Sequence, residues 1–107
     1  MKNEEQILKD VSENGMFLKY VEVQTEKICL AAVQQDGMAL EFVKDQTHEI
    51  CLAAVRQNPS ALQYVKNQTP EICLAAVSQD WGALQYVFDQ KIKDGILEKL
   101  NGTFLAR

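Results

Sequence analysis

Apolar residues in this chain recur in blocks that restart every 22 positions. Cys29, Cys51 and Cys73 lie 22 residues apart, each inside the string Ile-Cys-Leu-Ala-Ala-Val. The segments Gln46 to Asn67 and Gln68 to Asp89 agree at 15 of 22 positions, and Gln24 to Asp45 follows the same pattern. A short fixed period denotes one supersecondary unit stacked on copies of itself, which sets the architecture before any local pattern does.

Two series of polar residues punctuate each unit. Thr25, Thr47 and Thr69 precede the apolar string, and Pro70 directly follows Thr69. A Thr N-cap supplies an oxygen to the orphan amides of the first turn, and Pro fits the first helical position. Asp36, Asn58 and Asp80 form the second series, with Pro59 directly after Asn58. Proline disfavours α geometry in the residue before it, which marks a break there. Each unit is therefore a first helix of about ten residues, a nearly loopless turn and a second helix of about nine.

On a helical wheel Ile28, Cys29, Leu30, Ala32 and Val33 cover most of the first helix and leave Lys27 and Gln34 outside. A helix apolar on most sides is packed between neighbours. The second helix turns Met38, Ala39, Leu40, Phe42 and Val43 inward and Glu41, Lys44 and Asp45 to water.

Shifting the frame back by one period places Asn3 on Thr25, Leu8 on Leu30, Val11 on Val33 and Leu18 on Leu40. Residues 3–24 thus form a diverged first unit, ahead of units 25–46, 47–68 and 69–90. It carries Gln6, Lys9 and Asp10 where later copies have Ile and Ala, as a polar-faced terminal cap requires. After Gln90 the pattern breaks. Ile92, Ile96, Leu97 and Leu100 mark one apolar side of a closing helix within 91–107. The expectation is a single all-α domain over 1–107. It is a short α-solenoid of 22-residue helix-turn-helix repeats, with an N-terminal capping repeat and a C-terminal capping helix, finished at both ends.

Composition narrows the function. The net charge is −4, which disfavours nucleic-acid backbones and anionic membranes as partners. No apolar run approaches the ~20 residues that span a bilayer, and the polar N-terminus is no secretory leader. Stacked units hold equivalent atoms about 9–10 Å apart, too far for the disulfide limit of about 7 Å. The cysteines therefore read as a ladder of buried structural thiols in a reducing, cytoplasmic setting. No metal or cofactor is expected, because His48 is the sole histidine and lies apart from the thiols. No phosphate loop or nucleophile–histidine–acid motif is present, so the chain reads as a non-enzyme. His48, at the exposed start of a first helix, reads as solvent-facing.

The wording of the repeat, Leu-Ala-Ala-Val-x-Gln-Asp/Asn followed by Ala-Leu-x-Tyr/Phe-Val, recurs at Leu30 to Val43, Leu52 to Val65 and Leu74 to Val87. It resembles the repeat family catalogued as domain of unknown function 4116. The resemblance covers most of the chain up to Gln90. It implies a helical repeat often found in bacterial and viral proteins, and it brings no catalytic residues.

Any partner must read the positions that differ between copies. On the second helices these are Lys19 and Glu22, Glu41 and Lys44, Gln63 and Lys66, and Gln85 and Phe88. Their bland reading is a solvated face carrying a charge checkerboard, with Lys19 near Glu41 and Glu22 near Lys44. The carboxylates are expected mostly to pair with lysines. The first helices offer a second mixed stripe, Glu5, Lys27, Glu49 and Glu71, then Ser12, Gln34, Arg56 and Ser78. Gln24, Gln46, Gln68 and Gln90 recur at the junctions and read as amides bonding backbone between turns. Trp81 and Phe88 introduce bulk in the last unit. They read either as packing against Phe104 and Leu105 of the C-terminal segment or as an aromatic anchor for a partner.

The candidate partner-binding residues are thus Glu41, Lys44, Gln63, Lys66, Trp81, Gln85 and Phe88, in a non-enzymatic protein-binding module. One alternative is a phage- or bacterium-encoded inhibitor or effector that covers a basic, nucleic-acid-handling protein. Another is an RNA reader of one base per repeat, which would need more basic and aromatic residues on one face.

Overall fold

The computed structural model describes residues 2–105, and the side chains of residues 2–100. Four units, each an α-helix followed by a 3-10 helix, stack along one axis. The α-helices are α1 (Glu4–Glu13), α2 (Glu26–Gln35), α3 (His48–Gln57) and α4 (Pro70–Gln79). Their 3-10 partners are Gly15–Tyr20, Gly37–Phe42, Pro59–Tyr64 and Trp81–Tyr86, and α5 (Gln90–Leu105) follows. No strand occurs among the described residues. The result is a short all-helical solenoid of 57 × 22 × 17 Å. Its radius of gyration of 15.4 Å exceeds the about 13 Å of a compact domain this size.

The caps follow the expected polar residues. Thr25, Thr47 and Thr69 each accept from the backbone N–H three residues on, at 3.2 Å. In the first unit Asn3 takes this place, and Gln6 reaches back to the Asn3 N–H to complete a capping box. Asp36 shows how the turn needs a single residue. Its N–H closes α2 on the Ala32 carbonyl, while its side chain caps the next helix through the Met38 N–H at 3.0 Å. Asn14, Asn58 and Asp80 do the same.

The second helix differs from expectation: it is a 3-10 helix of six residues, not a helical run of nine. An α-helical pitch would bring Glu41 and Lys44 round to the face of Gly37 and Leu40, four residues earlier. At three residues per turn, Gly37, Leu40 and Val43 share one column, and all three are buried. Six residues is long for this geometry, and each copy is supported by capping at its start and by stacking on its neighbours in a second layer beside the α-helices.

The core is one continuous seam in which Ile28, Ala32, Val33, Leu40 and Val43, and their equivalents Ile50, Ala54, Val55, Leu62 and Val65 in the next unit, are nearly inaccessible. Gly15 and Gly37 are fixed by the stack rather than by their torsions. A Cβ at either would stand 2.3 Å from the carbonyl oxygen of Ala32 or Ala54 in the next unit. At the first unit the polar replacements behave as a cap: Gln6 and Lys9 are exposed, and Asp10 pairs with Lys2.

α5 starts at Gln90, one residue before the expected cap segment, because Asp89 accepts from the Lys91 and Ile92 N–H groups. It therefore leaves the 22-residue frame. Ile96 is buried, and Ile92 and Leu100 pack half-buried against the core. No helix among the described residues is long and apolar enough to cross a membrane.

Candidate functional site

Two ladders of glutamines hold the variable surface in place. In the first, Gln24 donates through Nε2 to the Phe42 carbonyl at 2.8 Å and accepts at Oε1 from the Lys44 N–H at 3.0 Å. Gln46 makes the same pair with Tyr64 and Lys66, and Gln68 with Tyr86 and Phe88. Each such amide closes the open end of one hairpin, tying the start of the α-helix to the end of its 3-10 helix. The same Oε1 atoms also receive the Cys29, Cys51 and Cys73 thiols, at 3.5, 3.5 and 3.6 Å. Gln90 departs from the ladder and bonds Asp94 within α5.

The second ladder, which sequence reasoning missed, joins adjacent units. Gln35 accepts from the Gly15 N–H and Gln57 from the Gly37 N–H. Pro59 has no N–H to offer at the next junction. There Gln79 presents its NH2 instead, donating to the Val55 carbonyl at 3.0 Å and to Ala75 at 3.1 Å. The signal was available in the recurrence of Gln at 35, 57 and 79.

These clamps position the candidate residues. Glu41, Gln63 and Gln85 lie within the 3-10 helices, and Lys44, Lys66 and Phe88 follow just past the extended residue that ends each of them. Glu41, Lys44, Lys66, Gln85 and Phe88 are exposed and Gln63 is half-buried. Gln63 and Gln85 fold back on their own backbones, bonding the Ser60 carbonyl at 3.0 Å and that of Gly82 at 2.9 Å. The expected charge checkerboard does not form. Lys44 Nζ donates to the Glu22 main-chain carbonyl at 2.7 Å, and Lys19 lies over the Tyr20 ring. Of the carboxylates among the described residues, Asp10 pairs with Lys2 and Glu71 takes His48 at 3.1 Å.

Trp81 and Phe88 are exposed by 44% and 68%. The side chains of Phe104 and Leu105, their expected packing partners, lie outside the described residues. The first-helix stripe is also solvent-facing, from Glu5, Lys27, Glu49 and Glu71 to Ser12, Gln34, Arg56 and Ser78. His48 is exposed on that side, as its position at the helix start implies.

The chemistry of the remaining groups is quiet. The three cysteines are free and buried. Burial pushes their thiols above the ordinary value of 9.0, Cys73 to about 11, with the Asp89 carboxylate adding to the effect. A neutral thiol is a weak nucleophile and a poor metal ligand. No cluster of His, Cys, Asp or Glu with metal-binding geometry occurs among the described residues.

Comparison with protein families gives two overlapping matches to the model described as Domain of unknown function (DUF4116). They cover residues 25–69 and 47–90, together 66 of the 107 residues. Comparison with curated proteins and with solved structures gave no match.

Proposed function

The chain belongs to the DUF4116 family, a domain of unknown function, and from that premise we propose a non-enzymatic protein–protein interaction module of the helical-repeat type. The observation that carries the reading is the exposure of Trp81 and Phe88 at repeat positions that hold Gly or Pro, and Lys or Glu, in the other units. Exposed large aromatics are enriched among the residues that dominate the energetics of protein interfaces. The glutamine clamps add support. They fix the backbone beneath Lys44, Lys66 and Phe88 while leaving those side chains free to vary. The strongest nucleophiles present, the three thiols, are buried and neutral, which suits a binding role rather than a catalytic one. A cytoplasmic setting belongs to the same reading, since free thiols persist where the medium is reducing.

Affinity capture from the native host, run in parallel with the wild-type chain and a Trp81→Ser/Phe88→Ser variant, tests it. The expected result is a defined protein retained by the wild type and lost by the variant, with both chains folded by circular dichroism. Equal retention by both would remove the assignment of these residues.

A further inference from the structure

Three depressions follow one another along the edge where the hairpins open, in register with the repeat. Ile7, Cys29 and Cys51 line them at equivalent positions, and so do Glu22, Lys44 and Lys66. Their volumes are about 360, 290 and 440 Å³. Neighbours share walls. Glu22 lines the first and the second, and Lys44, Asp45 and Thr47 line the second and the third. Phe88 is the next member of the column Glu22, Lys44 and Lys66, so the same edge leads to it.

The repeat sets the spacing of the depressions, and the residues that differ set their chemistry. In the first, Phe17, Tyr20 and Val23 give an apolar surface, with Tyr20 and Val23 exposed by 67% and 79%. In the second, the carboxylates of Glu22, Glu26 and Asp45 surround one lysine, Lys44. The amine of Lys44 is held by the Glu22 main-chain carbonyl, and Glu26 accepts from the Thr47 hydroxyl at 3.3 Å. In the third, Lys44 and Lys66 stand against a single carboxylate, Asp45, while His48 bonds Glu71 of the next unit. The order along the edge is apolar, then anionic, then cationic.

We propose that this edge is a track for an extended peptide in the polyproline II conformation, with an apolar, a basic and an acidic side chain at three-residue intervals. The inference rests on the binding-module reading and names the form of the partner. Spacing selects the conformation. Stacked units repeat about every 9–10 Å. A polyproline II turn advances about 9.3 Å and returns every third side chain to the same face. A β-strand covers that distance in three residues but turns the third side chain to the opposite face. An α-helix repeats its face after about seven residues and 10.5 Å, which overshoots the stack. Charge selects the order. A basic side chain suits the carboxylates of the middle depression and an acidic one the lysines of the third. A polyanion such as single-stranded nucleic acid would be repelled at the middle position.

Fluorescence anisotropy of labelled, end-capped peptides titrated with the full chain tests this. The probe is Leu-Pro-Pro-Arg-Pro-Pro-Glu, made in both chain directions, each with a control in which Arg and Glu are exchanged. In one direction the probe should bind with a Kd below ~1 mM and about tenfold tighter than its control. The Glu26→Lys/Lys66→Glu variant should invert that preference, which a merely structural effect of the substitutions would not do. Glu22→Lys/Lys66→Glu replaces it should the first variant fail to fold by circular dichroism. No binding in either direction up to ~1 mM, equal binding of probe and control, or a preference that the folded variant leaves unchanged overturns the proposal. If the peptides fail while the wild type still retains a protein through Trp81 and Phe88, the track falls and the binding-module reading stands. Charge-ordered peptide binding alongside equal retention by the Trp81→Ser/Phe88→Ser variant supports the track and removes only the role of the two aromatics.

Discussion

One side-chain amide, that of Gln46, closes a hairpin by donating to the Tyr64 carbonyl while accepting from the Lys66 N–H and the Cys51 thiol. Truncating it strips the half-buried Tyr64 carbonyl of its partner, at about 1–3 kcal/mol, while the exposed Lys66 N–H is left to water. Gln46→Ala should therefore lower the urea unfolding free energy by about 1–3 kcal/mol. Gln46→Glu keeps the acceptor but sets a carboxylate against the Tyr64 carbonyl. Its neutral form, which can donate, is the one the fold prefers, so its folded pKa is raised. The lost stability should return as pH falls below the ordinary Glu value of about 4.3 and disappear as pH rises through the folded value. Two glycines make an opposed pair. Gly37→Ala drives a Cβ into the Ala54 carbonyl and should cost about 2 kcal/mol or more. Gly95, inside α5, has nothing within 4 Å of an added Cβ, and Gly95→Ala should stabilise by about 0.5–1 kcal/mol. Thermal unfolding of the two variants side by side checks the sign of each.

At the scale of elements, the unit depends on residues that end one helix and begin the next. Asp36→Ala removes the acceptor for the Met38 N–H and should cost about 1 kcal/mol. Asp36→Asn should cost little, since Asn14 and Asn58 do the same work in their own units. Chemical denaturation of the two variants tests this. These caps are why so much of the fold was legible: Thr and Asx recur at fixed offsets, and their oxygen chemistry permits few other roles. The type of the second helix was less legible. Leu40 and Val43 lie three apart, a spacing that satisfies α and 3-10 geometry alike, and only the polar Glu41 and Lys44 separate the two. The reason for the repeated cysteine was hidden as well. Ile-Cys-Leu reads as packing, whereas the Sγ–Gln contact appears only once the hairpin is closed. The candidate column was found in sequence by its variation, but its bonding was not. A lysine near a carboxylate in repeat register donates to a carbonyl instead, a choice of a few ångströms that spacing does not encode.

For the whole molecule, identical residues build the stack and differing ones face outward, so stability and binding are separable. Stability shared along one seam should respond to all three thiols together. Their raised pKa values give a contribution that is fully present below the unfolded value near 9.0 and lost as pH rises through about 11, the value for Cys73. The melting temperature should fall across that window, and Cys73→Ala should flatten the fall. The central claim is that Trp81 and Phe88 serve recognition and not the fold. Equilibrium urea unfolding of the Trp81→Ser/Phe88→Ser variant tests it most directly. An unfolding free energy within about 0.5 kcal/mol of the wild type is expected for exposed sites, and a loss above about 2 kcal/mol would contradict the claim by showing that both aromatics hold the stack together.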